Sequence, residues 1–155
     1  MSIAHAARNA EFTMAQRGKV NIITHVHLDL PLDEPVAKLM KDESRVCVPT
    51  LVMEEIISKA GIFPGLNYGA AKESVIQLHK AGMLILAGTD SNKSPIAGVK
   101  HGEVIHRELN LLVDAGLSNE EALRAATTLP EKWSGLEDKR VVVVGKRADF
   151  VLVGG

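Results

Sequence analysis

Val20-Asn21-Ile22-Ile23-Thr24-His25-Val26 decides the fold class of this chain. Its apolar residues run together instead of alternating, which suits a β-strand covered on both faces, as in a parallel sheet. Upstream, Ala6 to Arg17 reads as a helix with Ala7, Ala10, Met14 and Phe12 on its apolar side and Gly18 as its stop. Before it, Ile3-Ala4-His5-Ala6 is a short apolar run ending in a histidine. Downstream, Asp33 is placed to cap a helix from Glu34 to Lys41, and Arg45 to Met53 (RVCVPTLVM) reads as the next strand, with Pro49 marking its end or a bulge. A short helix is expected over Glu54 to Lys59, then a Gly/Pro-rich loop from Gly61 to Gly69, a helix to Lys80 stopped by Gly82, and a strand from Met83 to Ala87.

The rest continues the alternation. Ser91 to Lys100 is a polar loop. Glu103 to Ala115 is amphipathic, with Val104, Ile105, Leu109, Leu112 and Val113 on one side. Ser118-Asn119-Glu120-Glu121 is a capping box opening a helix through Thr127, and Pro130 is expected to end it. Val141 to Val144 and Asp149 to Val153 are β-rich and have no helix between them. Strands alternating with helices at this spacing predict βα units and a parallel α/β sheet.

Composition bounds the function. The 155 residues fit one core, and the net charge of −1 leaves no basic field for nucleic acid or an anionic membrane. Aromatics at 3% leave little for base stacking. No apolar run reaches the ~20 residues of a membrane span. The amphipathic start from Met1 to Gly18 has no signal-peptide core. The single cysteine, Cys47, excludes an internal disulfide and fits a reducing, cytoplasmic setting. Inside a strand it reads as a small buried hydrophobe and not as a nucleophile.

The chemistry-bearing residues gather where a parallel sheet builds its sites, at the C-terminal strand ends. His5 ends the first strand, His25 follows Ile22-Ile23-Thr24, and Asp90 follows Leu86-Ala87-Gly88-Thr89. Imidazole and carboxylate are suitable ligands for zinc and similar divalent ions. His27 has two readings: it alternates with His25 and so reaches the site, or it is a loop histidine facing solvent. His101 contacts substrate or caps a helix. His79 and His106 read as helix-end and packing or surface residues, Asp29 and Asp33 as turn and cap residues, and Asp149 as structural.

These motifs together resemble the C-terminal half of the amidohydrolase superfamily, nearest its imidazolonepropionase-like and prolidase-like branch. Ile3-Ala4-His5-Ala6 is similar to the family's fifth-strand histidine motif, and Gly18-Lys19-Val20-Asn21 with Ile22-Ile23-Thr24-His25 to the sixth. Val48-Pro49-Thr50-Leu51 is similar to the seventh strand and Ala87-Gly88-Thr89-Asp90 to the eighth-strand aspartate motif. The stretches His101-Gly102, His106 to Leu109, Ala115 to Ser118 and Glu121 to Thr127 resemble the helices that follow, and Gly145 to Leu152 the closing sandwich motif.

The resemblance implies a partial (β/α)8 barrel, strands five to eight over residues 1–135, with a closing β segment of the composite sandwich over 136–155. It implies a metal-dependent hydrolase of amide or dipeptide-like C–N bonds in small molecules. His5, His25 and Asp90 would bind one or two divalent ions, zinc foremost, and Asp90 would act as general base toward the activated water. His101 and His27 fall to substrate binding. The family's strand-one His-x-His pair and strand-four ligand have no counterpart here, since His25-Val26-His27 sits in a strand-six context. Three strands and a stub cannot close an eight-stranded barrel. The alternative expectation is therefore a non-catalytic half-barrel that self-associates or binds a partner. A flavodoxin-type binding domain would need a phosphate-cradling Gly-rich loop, and the Gly61 to Gly69 spacing does not provide one.

Overall fold

The computed structural model describes residues 1–61, 63–135 and 143–145. Four strands, β1 (Ile3–His5), β2 (Ile22–Thr24), β3 (Val46–Val48) and β4 (Leu84–Ile85), pair in parallel and in chain order. Helices separate them: α1 (Asn9–Arg17), α2 (Glu34–Asp42), then α3 (Leu51–Ala60) and α4 (Tyr68–Lys80). After β4 come α5 (Val104–Asp114), α6 (Asn119–Ala126) and α7 (Thr128–Trp133). The expected parallel α/β architecture is present. No helix of the described residues is long and apolar enough to cross a membrane.

Register sorts the strand residues onto two faces. Ala4, Ile23 and Cys47 are aligned, with Ile85 opposite Cys47, and this row belongs to the main core with Phe12, Leu51, Leu78 and Leu112. The alternate residues Ile22, Val46 and Leu86 form a second cluster joined by Val48, Leu84, Leu129 and Trp133. Both faces of the central strands are therefore covered, which is why their apolar residues do not alternate. At β1 the cover stops, and Ile3 is 61% exposed.

Four helices end in the same way. Lys19, Ser44, Gly82 and Gly116 have φ of 56°, 54°, 72° and 103°. In each case the next residue's N–H reaches back five positions: Val20 to Ala15, Arg45 to Met40, Met83 to Leu78 and Leu117 to Leu112. This is the Schellman closure, which satisfies carbonyls left over at a helix end. Gly82 was expected to stop its helix and does. After α1 the left-handed residue is Lys19, not Gly18.

Several expected boundaries are corrected. The helix α1 starts at Asn9 and buries Phe12, Ala15 and Gln16, whereas Met14 is 73% exposed. The strand expected over Arg45 to Met53 ends at Val48, because Pro49 brings no N–H and Thr50 turns left-handed (φ 54°) to start α3. That helix therefore takes in Leu51 to Met53 and absorbs the short helix expected from Glu54. The strand expected from Met83 to Ala87 shortens to Leu84–Ile85. Pro130 does not end a helix but lies in the first turn of α7, where a missing N–H costs nothing. Asp33 precedes α2 without a side-chain cap bond. The Ser118 capping box forms as expected, with both reciprocal bonds present. The β-rich segments around Gly145-Lys146, and Asp149 with them, fall outside the described residues except for 143–145.

Candidate functional site

The strand ends form the site. His5 is the last residue of β1, and His25 follows β2 directly. The His25 backbone N–H bonds to the Val48 carbonyl (2.9 Å), tying this residue to the end of β3. The two imidazoles meet edge to face, with ring centroids 4.2 Å apart at 67°. His5 is exposed and His25 buried. Thus one ring is reachable and the other is fixed behind it.

His25 is held from the α3 side. Its Nδ1 lies 2.7 Å from Thr50 Oγ1 and 3.4 Å from Glu54 Oε1. Thr50 Oγ1 donates its only proton to the Pro49 carbonyl (2.7 Å), so it accepts from His25 Nδ1–H. The lone pair of the neutral ring is then on Nε2. A ring nitrogen held by a polar partner while the other is free is how ligand histidines are oriented. Glu54 is buried, and its carboxyl is pushed up by burial; the hydrogen bond to His25 opposes that shift, and the Asp90 charge adds to it. Asp90 is thus within electrostatic reach of this cluster. It is exposed, with φ 50°, in the loop after β4.

His25 (φ 71°), Thr50 (φ 54°) and Asp90 (φ 50°) are all left-handed, and none is glycine. Such backbone is uncommon outside glycine and costs energy, most of all for β-branched Thr50. Of the five such residues described, these three follow strands, and Lys19 and Ser44 close helices.

The donor set is incomplete. The two imidazoles are donors of a kind that divalent ions such as zinc take. Among the described residues no group of three or more His, Cys, Asp or Glu side chains is placed to hold a metal. The residues present therefore fit part of such a site, and the geometry does not close it around Asp90.

The other expected residues fall as follows. His27 is fully buried, its Nδ1 2.6 Å from the Leu30 carbonyl and its ring edge-on to Phe12 at 5.0 Å. It does not face solvent, and it is enclosed under α1. Burial lowers its pKa, against the Leu30 bond and the Asp29 charge. His101 is exposed in the turn leading into α5, and His106 is exposed on α5. His79 sits near the end of α4 and pairs with Glu121 at 3.2 Å. Asp29 does more than turn the chain: Oδ1 accepts from Asn9 N at 3.1 Å, capping α1 from a neighbouring loop. Cys47 is buried in β3, and burial pushes its thiol up, away from nucleophilic use.

Thr50, Glu54 and Glu108 are missing from the sequence-based site. Glu108 was detectable: it interrupts the apolar stripe of α5, four residues from both Val104 and Leu112. Thr50 and Glu54 carry no such signal, because their role depends on contact with His25, which is distant in sequence.

Solved structures share this fold. An amidohydrolase matches at 27% identity with TM-score 0.72, covering 95% of this chain and 36% of that chain. A prolidase complexed with N-methylphosphonate-L-proline matches at 27% identity with TM-score 0.66, with the same coverage of 95% and 36%. A Xaa-Pro dipeptidase with methionine bound in its active site shares the fold at 22% identity and TM-score 0.69, covering 89% of this chain and 34% of that one. The chain thus spans about a third of the length of each. No curated protein matches it. The sequence profile of the amidohydrolase family matches residues 2–155, and the chain belongs to that family.

Proposed function

We propose that this chain carries the second half of a metal-dependent hydrolase site acting on C–N bonds of small, dipeptide-like amides. β1 to β4 correspond to strands five to eight of a (β/α)8 barrel over residues 1–135, and 136–155 to a closing β segment. The prolidase complexed with a proline phosphonate supports the substrate class. The observation that carries the reading is the His5–His25 contact, with His25 held through Nδ1.

His5 and His25 would hold the ion, zinc by the chemistry of its donors. When bound, such an ion polarises a carbonyl and acidifies water. Thr50 and Glu54 keep the His25 ring in place. Asp90, exposed and ionisable, takes the proton from water and returns it to the leaving amine. His101, exposed in the turn before α5, would contact the substrate.

Metal content and turnover of acyl-amino acids and dipeptides test this directly. The expected result is uptake of Zn2+ or Co2+ that His25→Ala abolishes, and hydrolysis that Asp90→Asn abolishes. A chain that takes up no metal, and whose turnover is indifferent to Asp90→Asn, overturns the reading.

A second reading has its own observation. Ile3 is 61% exposed on the face that Ile22 and Val46 bury, and the described donors stop short of a metal set. A half-barrel that covers this face with a second copy or a partner fits both. A monomeric solution mass at micromolar concentration excludes self-association.

A further inference from the structure

The start of α3 shows an exchange of partners. A helix begins with N–H groups that have no acceptor within the helix, and a threonine at this position ordinarily satisfies one with its hydroxyl. Thr50 does not. Its Oγ1 is turned to His25 Nδ1 (2.7 Å) and to the Pro49 carbonyl (2.7 Å). The capping role is filled from another element. Glu108, fully buried near the middle of α5, accepts from Leu51 N at 3.0 Å with Oε1 and from Val52 N at 2.7 Å with Oε2.

This is a costly way to cap a helix. Taking a carboxylate out of water costs far more than burying a hydroxyl. Thr50 cannot do the task as it stands: capping by its side chain needs extended backbone, and Thr50 is left-handed (φ 54°, ψ 45°). Glu108 therefore holds the first turn of α3 while Thr50 keeps the backbone that turns its hydroxyl to His25.

We infer that Glu108 is a positioning residue for His25: by capping α3 from α5, it lets Thr50 keep the left-handed backbone that aims its hydroxyl at His25 Nδ1–H, and so sets which ring nitrogen is left for a ligand. The value of that nitrogen to catalysis rests on the proposed function; the bonding chain itself does not. The coupling runs from Glu108 through Leu51 and Val52 to Thr50 and then His25, with every link a hydrogen bond or a peptide bond.

The test is the protonation pattern of His25 in the full 15N-labelled chain without metal, read from long-range imidazole correlations and assigned by difference from His25→Gln. The unsubstituted chain is expected to carry its proton on Nδ1. In Glu108→Ala, Thr50 is expected to relax to extended backbone, cap α3 itself and leave His25 Nδ1, and the Nε2-protonated form becomes the major one. Glu108→Gln keeps one acceptor for two N–H groups and is expected to at least double the Nε2-protonated share. A merely structural role predicts that a variant with an intact amide spectrum keeps the original pattern. Nε2 protonation in the unsubstituted chain overturns the inference, and so does an unchanged pattern in folded Glu108→Gln, which decides alone if Glu108→Ala does not fold. Co2+ titration of the same samples separates the two readings. A proton shift without metal uptake keeps the positioning role and removes the metal reading, and metal uptake with no shift does the reverse.

Discussion

Thr50 Oγ1 lies 2.7 Å from His25 Nδ1, and this bond joins the end of β2 to the start of α3 across 25 residues of sequence. It makes the orientation of one imidazole depend on the backbone of a neighbouring βα junction. Loss of an outer hydrogen-bond partner of a metal ligand typically weakens metal affinity by about 10–100-fold. Thr50→Val, equally β-branched and thus equally strained at φ 54°, is expected to cost affinity in that range and, by leaving the buried His25 Nδ1–H without its acceptor, about 1–3 kcal/mol of stability. Co2+ titration followed by absorbance checks it; an unchanged midpoint would refute the assignment.

Glu108 and His27 give stability opposite pH dependences. The Glu108 carboxyl is pushed up to about 7 by burial, against the Val52 and Leu51 N–H bonds, with the Glu54 charge adding to the rise. Its folded value exceeds the unfolded 4.5, so its contribution is full below about 4.5 and is lost as pH rises through about 7. The swing is up to about 3 kcal/mol. His27 is lowered from 6.5, chiefly by burial, so its contribution is present above 6.5 and is lost as pH falls through the folded value. Urea midpoints between pH 4 and 8 are expected to lose their alkaline-side decline in Glu108→Gln and part of their acid-side decline in His27→Leu. Parallel curves for all three chains would contradict both.

Gly88 has no room for a side chain. A Cβ there would stand 2.5 Å from Val48 Cγ1, below any real contact distance. Gly88→Ala is expected to destabilise by about 1–3 kcal/mol, as overpacking does. Val48→Ala in the same chain is expected to recover much of that loss, and a thermal-melt double-mutant cycle measures the coupling.

Asp90→Asn separates charge from fold. Asn tolerates left-handed backbone as Asp does, and the position is exposed, so stability is expected to stay within about 0.5 kcal/mol. The Asp90 charge helps hold the Glu54 carboxyl up. Removing it is expected to lower the Glu54 titration midpoint, followed by its 13C carboxyl shift. No movement would place Asp90 outside the cluster.

The parallel sheet was legible because apolar runs without alternation, separated by helix-period segments, have few other solutions. The Ser118 capping box and the Gly82 stop were legible for the same reason: each is local chemistry. The end of β3 was not, because Thr50 takes a left-handed turn that its β-branched side chain disfavours, and the bonds of Thr50 to His25 and of Leu51 and Val52 to Glu108 override that preference. The His5 and His25 pairing could be anticipated only as a shared location at strand ends. Their contact, and the support from Thr50, Glu54 and Glu108, arise from packing between βα units. His27 shows the opposite case: alternation placed it beside His25 in sequence, but the chain leaves the sheet after Thr24, and the ring goes under Phe12.

Cys47 has an experimental consequence. It is the chain's only cysteine, stands in the middle of β3 between two neighbours, and is fully buried. A thiol reagent added to the native chain has one target, and reaches it only when the sheet opens. The rate of its capture is therefore a clock for that opening, built into the unmodified protein, on which every substitution named above can be timed without a label.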